Sequence, residues 1–179
     1  MNLPRRAGVK WQAYAPLPVC FANGYRFVLC RYPPPPMFNP SREQVRQFFT
    51  EAWRKHRQRE PLTPLEVQAV DWMVEHPEYH ADLEDPQAGQ ADYAVEGGRT
   101  NPFLHLSMHL AITEQLSIDQ PPGIRAAHER LLRRTGSAHD AAHEIMECLG
   151  QVVWEAQRLG QPFSSEHYLD LLNRRATLS

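Results

Sequence analysis

The side chains best suited to chemistry in this sequence are histidines that recur at a four-residue spacing. Nine histidines occur among 179 residues, and random placement at this frequency gives fewer than one pair at that spacing. The sequence contains three such pairs: His76 and His80, His105 and His109, and His139 and His143, the last followed four residues later by Glu147. Because residues four apart lie on one face of a helix, both side chains of a pair can reach a shared ligand.

Imidazole and carboxylate groups are the ligands with which helical proteins hold zinc or non-haem iron. We therefore predict a transition-metal site, for zinc or non-haem iron, with inward-facing ligands. The predicted ligands are His105, His109, His139, His143 and Glu147, with His76 and His80 closing the site or supporting the ligands. A metal-activated water with Glu147 or Asp140 as the base is the simplest chemistry for such a site. No pattern in the sequence predicts a particular reaction, catalytic residue or substrate.

A metal-free polar core is the alternative interpretation of the same histidines. Buried histidines hydrogen-bond to one another, to carboxylates or to backbone carbonyls, and so fix packing without an ion. The candidate carboxylates are Glu114, Asp119 and Asp140. The chain would then be an adaptor or interaction protein whose partner, a protein or a small molecule, is not indicated by the sequence. Its oligomeric state is not indicated either.

Several other chemistries are disfavoured. The segment His143-Glu-Ile-Met-Glu147 resembles the zinc-protease signature His-Glu-x-x-His but ends in glutamate, which argues against a peptidase. The sequence has no Gly-x-Ser-x-Gly elbow and no Gly-x-x-x-x-Gly-Lys phosphate loop. Residues 37–179 carry 14 basic against 21 acidic side chains, a net charge of -7, which argues against nucleic-acid binding.

Helices must position the histidines, and the sequence indicates where several of them begin. Ser41-Arg-Glu-Gln44 and Thr63-Pro-Leu-Glu66 are capping boxes. Asn101-Pro102 begins a helix that is apolar on nearly every side, which is typical of the centre of a bundle. Further helices are predicted over 124–134, over 137–159 and from about residue 165. We predict an all-α fold, a single bundle of five or six helices with a buried central helix.

The first 36 residues differ from the rest of the chain. They include the run Pro33-Pro-Pro-Pro36, show no helical period, and hold five basic and no acidic residues. We predict that residues 1–36 form an irregular extension, non-native or disordered, and that residues 37–179 form one helical-bundle domain.

The location of the protein is predicted from its cysteines and its hydropathy. Its three cysteines form no Cys-x-x-Cys pair, and no signal peptide or membrane-spanning apolar run is found. A cytoplasmic protein that does not bind membranes is therefore predicted.

Five longer stretches of the sequence together resemble a known family. They are Met37-Phe-Asn-Pro-Ser-Arg42, His76-Pro-Glu-Tyr-His80, Asn101-Pro-Phe-Leu-His-Leu-Ser-Met-His-Leu-Ala-Ile112, Glu114-Gln-Leu-Ser-Ile-Asp119 and Met146-Glu-Cys-Leu149. The family they resemble is bacterial, largely proteobacterial, and is defined by a domain of unknown function. Its members typically begin at the equivalent of Met37, which favours the interpretation of residues 1–36 as an extension. The resemblance implies no activity.

A weaker, architectural likeness is to helical bundles of the haemerythrin and DinB-like kinds, which present His-x-x-x-His pairs around a metal. This chain lacks the His-x-x-x-Glu step on an early helix, which argues against a diiron oxygen carrier.

Overall fold

A computed structural model describes residues 40–85, 87 and 100–177, and all regular structure among them is helical. Seven α-helices and one 3₁₀ turn follow in order: α1 (Arg42–Gln58), α2 (Pro64–Glu75), the 3₁₀ turn (Pro77–Tyr79), α3 (His80–Glu84), α4 (Pro102–Ile118), α5 (Ile124–Thr135), α6 (Ala138–Leu159) and α7 (Ser165–Thr177). The all-α prediction is confirmed. The helices number seven rather than five or six because the short α3 forms directly after the turn. The predicted extension, residues 1–36, lies outside the described residues.

The described residues fall into two compact units, divided between His105 and Leu106. The boundary falls inside α4, four residues into the helix. The expectation that residues 37–179 form one domain stays a prediction.

In the first unit, side-chain caps begin α1 and α2 where the sequence predicts them. The backbone N–H of Gln44 donates to Ser41 Oγ, and the Gln44 side chain accepts from the N–H of Ser41. Thr63 and Glu66 repeat this exchange at the start of α2. Each box satisfies amide groups that a helix N-terminus otherwise leaves without a partner. The buried apolar residues of the unit are Phe49, Ala52, Trp53, Ala69, Val70, Met73, Leu83 and Phe103.

Glu66 links α2 to α1. Glu66 is only 7% exposed, and its carboxylate accepts hydrogen bonds from Lys55 Nζ and from the backbone N–H of Thr63, both at 2.7 Å. These bonds lower the pKa of Glu66 to about 2, although desolvation opposes the shift. One carboxylate therefore caps α2 and binds the basic end of α1.

Helix α4 is buried on several sides. Asn101 begins it, because its side-chain oxygen accepts the N–H groups of Phe103 and Leu104 at 3.1 and 3.2 Å. The consecutive residues 108–110 are all buried, and three consecutive residues cannot share one helix face. The predicted buried helix is thus confirmed.

In the second unit, polar caps place α5 and α6. The side chain of Asp119 accepts hydrogen bonds from the backbone N–H groups of Gly123 and Arg125, at 3.2 and 3.1 Å. Asp119 therefore caps the start of α5, because Gly123 at the N-cap position has no side chain that could do so. Ser137 caps α6 by accepting the N–H of Asp140. The buried apolar residues of α5, α6 and α7 are Ile124, Ala127, Leu131, Ala141, Ala142, Ile145, Met146, Cys148, Leu149, Val152, Val153, Tyr168 and Leu172.

None of the helices in the described ranges has both the length and the apolar character that a membrane span requires.

Candidate metal centre

The first unit brings together His76 and His105. Pro77 follows His76 directly and cannot donate a helical hydrogen bond, so α2 ends and His76 lies in the corner before the 3₁₀ turn. Its side chain is 2% exposed. The Nε2 atoms of His76 and His105 lie 3.3 Å apart, and the two rings meet edge to face with centroids 4.6 Å apart.

Two residues of the 3₁₀ turn complete the surroundings of this pair. The Nδ1 atom of His76 lies 2.8 Å from Glu78 Oε1. The ring of Tyr79 stacks on that of His76, with the ring centroids 5.3 Å apart, and meets the ring of His105 edge to face, with the centroids 5.4 Å apart. Burial raises the pKa of Tyr79 to about 12, so its phenol is protonated at neutral pH. The pKa of Glu78 lies below its ordinary value. Desolvation by burial alone would raise this pKa, but the hydrogen bond with His76 lowers it.

The second unit brings together His109 and His143. His109 of α4 is fully buried, and its Nε2 lies 3.2 Å from Nε2 of His143 on α6. His139 precedes His143 by one helical turn, and the centroids of their rings lie 4.2 Å apart. The centroid of the His139 ring lies 6.2 Å from that of the His109 ring. The Nδ1 of His139 also lies 3.7 Å from the carboxylate of Asp140. The predicted spacing therefore places His139 and His143 side by side, as a continuous helix requires.

The distances within the two pairs suit a shared ligand as well as a hydrogen bond. Zinc binds histidine nitrogen at about 2.0–2.1 Å, which puts two nitrogens of a tetrahedral site about 3.3–3.4 Å apart. The measured separations are 3.3 Å for His76 with His105 and 3.2 Å for His109 with His143. By their chemistry, the two imidazole nitrogens of each pair are donors of the kind that zinc and iron bind.

Two of the sequence-predicted site residues have other partners. His80 Nε2 lies 2.8 Å from the backbone oxygen of Met73, and its ring packs on Trp53 with centroids 4.2 Å apart. His80 does not share a helix face with His76, because the chain turns at Pro77 and α3 begins only at His80. The carboxylate of Glu147 is 2.6 Å from Arg175 of α7.

Sequence reasoning missed Glu78 and the pairing of His76 with His105. Glu78 stands two residues after His76, and helical spacing does not bring such residues together. Only the proline between them signals the turn that does so. The partner of His76 is 29 positions away, a separation on which no local pattern reports.

The described residues thus define an all-α protein with two histidine pairs, each with one buried member. The chain belongs to the family DUF1841, described as a domain of unknown function, whose model matches residues 41–174. This match confirms the predicted membership of a family defined by a domain of unknown function. No curated protein and no solved structure matches the chain.

Proposed function

We propose that this protein binds a transition-metal ion, zinc or non-haem iron, through histidine side chains. The proposed ligands are His76, His105, His109 and His143. The observation that carries the proposal is the facing of Nε2 atoms in two histidine pairs, each with one buried member, at 3.3 and 3.2 Å. Helix α4 supplies one histidine to each pair, His105 and His109. The four-residue spacing of these histidines is one at which two helical side chains can act as metal ligands.

The donor set favours particular ions. Neutral imidazole nitrogens suit zinc, iron, copper and nickel, whereas magnesium and calcium prefer oxygen ligands. Four nitrogen ligands would fill a tetrahedral site, and a filled site is typical of a structural metal, since a catalytic metal keeps a position for water. We therefore infer a role in binding and stabilisation rather than a specific reaction.

The remaining sequence-predicted ligands enter the proposal differently. His139 lies one turn before His143 on the same helix, and we propose that its ring contact holds the ring of His143 in position. His80 and Glu147 are left out of the proposed ligand set, because their side chains contact Met73 and Arg175.

A reducing compartment such as the cytoplasm is proposed from the cysteines. Cys148 is buried, and burial raises the pKa of its thiol to about 11. A protonated, buried thiol is inert toward oxidation and metals. The three cysteines of the chain also lack the close spacing of a disulfide or metal motif.

The competing function is a metal-free interaction protein whose histidines form a polar core. The same Nε2 separations favour it, because an N–H of one imidazole can donate to the other at 3.2 or 3.3 Å. In that case the pairs fix the packing of the helices around them.

Metal analysis of the full chain, purified without a histidine tag or chelator, separates the two functions. We expect about one equivalent of zinc or iron per chain, as a single four-ligand site requires, and loss of that metal in His109→Gln. His56→Gln is the matched control, because His56 is exposed on α1 and should leave the metal content unchanged. Substoichiometric metal, together with no binding of added zinc or iron, would support the metal-free alternative.

A further inference from the structure

We propose that Glu78 is a positioning residue that holds His76 in the tautomer with its proton on Nδ1. The lone pair of Nε2 then points toward His105. The consequence for metal affinity rests on the proposed function, whereas the tautomer itself does not.

The proposal follows from what each ring nitrogen of His76 meets. A neutral imidazole carries one proton, and an ionised carboxylate can only accept a hydrogen bond. Because Nδ1 lies 2.8 Å from Glu78 Oε1, the proton belongs on Nδ1, which donates to Glu78. Nε2, at 3.3 Å from Nε2 of His105, is left as the acceptor or metal ligand.

The local backbone keeps this arrangement in place. Pro77 begins the 3₁₀ turn, and the N–H of Tyr79 donates to the backbone oxygen of His76 at 3.0 Å. The Tyr79 ring stacks on the imidazole with an angle of 23° between their planes. The side chain of His76 is 2% exposed and that of Glu78 is 56% exposed. A buried imidazole is thus oriented by a carboxylate that can be replaced without opening a cavity.

The orientation has a consequence with and without metal. With a metal ion, the carboxylate of Glu78 would fix the direction of the Nε2 lone pair, as carboxylates behind metal-bound histidines do. Without metal, His105 Nε2–H donates to the same lone pair. In both states Nε2 of His76 carries no proton.

The tautomer is tested directly on the metal-free full chain. Two-bond ¹H–¹⁵N correlation spectra of labelled protein report which nitrogen is protonated, and His76→Gln identifies the signal of His76. We expect Nδ1–H in the wild type and in Glu78→Gln, whose amide oxygen still accepts. We expect Nε2–H to appear in Glu78→Ala. A wild-type His76 protonated on Nε2 overturns the proposal without any variant.

Zinc titration supplies the second readout. Glu78→Ala should weaken zinc binding about 10–100-fold, the usual effect of removing such a carboxylate, and Glu78→Gln should recover part of the loss. Glu75→Ala is the control, because it removes an exposed charge next to His76 in the chain and leaves Glu78 in place. Equal zinc affinity in wild type and Glu78→Ala overturns the positioning role. A wild type that binds no zinc refutes the proposed function, and the spectra then still decide the role of Glu78.

Discussion

The role of each histidine follows from what its two ring nitrogens and its ring faces contact. His76 presents one nitrogen to a carboxylate and the other to His105. His80, only four residues further, bonds the backbone oxygen of Met73, and its ring packs on Trp53. The first set of contacts leaves a nitrogen directed at another imidazole, as a ligand requires. The second joins the end of α2 to α1, which is a structural role.

From the contacts of His80, we expect the variant His80→Ala to be less stable than the wild type but to keep the proposed metal binding. In His80→Ala the hydrogen bond to Met73 and the packing on Trp53 disappear, and we expect a loss of about 1–3 kcal/mol in the free energy of unfolding. Zinc stoichiometry should remain that of the wild type. Denaturant unfolding in a chelator and metal analysis check the two parts.

The matched control for His80→Ala is His56→Ala. His56 stacks on the same Trp53, with centroids 5.4 Å apart, but is exposed, so its removal should change stability by less than about 0.5 kcal/mol. If His80→Ala lost zinc as completely as His109→Gln, His80 would belong among the ligands.

At the scale of elements, α4 differs from the other long helices. α1, α5 and α6 each combine buried and solvated faces, as amphipathic helices do. α4 is buried at Phe103, at Leu106 and over residues 108–110, and Ile112 is fully buried. Side chains of α4 therefore pack in several directions, and the cost of shortening one depends on whether its surroundings can collapse.

Two isoleucines of α4 test this description. Ile112 is 0% exposed and Ile118 is 52% exposed. Ile112→Ala should cost about 2–5 kcal/mol, because it removes buried methyl groups and leaves a cavity. Ile118→Ala makes the same chemical change at the end of the helix and should cost less than about 1 kcal/mol. Urea unfolding followed by circular dichroism measures both, and equal losses would refute the burial of α4.

At the scale of the whole molecule, local signals and long-range pairing differ in how well the sequence predicts them. Caps such as Ser41 with Gln44 act within four residues, so the starts of α1 and α2 could be predicted. The contact between His139 and His143 could also be predicted, because both residues lie on one helix. The pairing of His76 with His105 could not be predicted, since it depends on how separate elements pack. The separation of His76 from His80 could not be predicted either, because the chain turns between them.

The pH dependence of stability is a property of the whole molecule to which one carboxylate in each unit contributes. In the first unit, hydrogen bonds from Lys55 and Thr63 lower the pKa of Glu66 to about 2, from an ordinary value of 4.5, although desolvation opposes the shift. In the second unit, hydrogen bonds from the N–H groups of Arg125 and Gly123 lower the pKa of Asp119. A carboxyl whose pKa is lower in the folded state stabilises the protein above its ordinary pKa. That stability disappears as the pH falls from about 5 toward 2.

We therefore expect Glu66→Gln and Asp119→Asn to unfold at lower urea concentration than the wild type at neutral pH. Below about pH 4 their midpoints should approach that of the wild type, because the native carboxyl groups also become protonated as the pH falls toward their folded pKa. Asp71→Asn is the control: it changes an exposed carboxylate on the same helix as Glu66, and an exposed substitution should change the midpoint at neutral pH only slightly. Measuring the midpoints in a chelator keeps a bound ion from adding its own pH dependence. A constant difference between Glu66→Gln and the wild type from neutral to acid pH would show that the Glu66 charge does not contribute to stability.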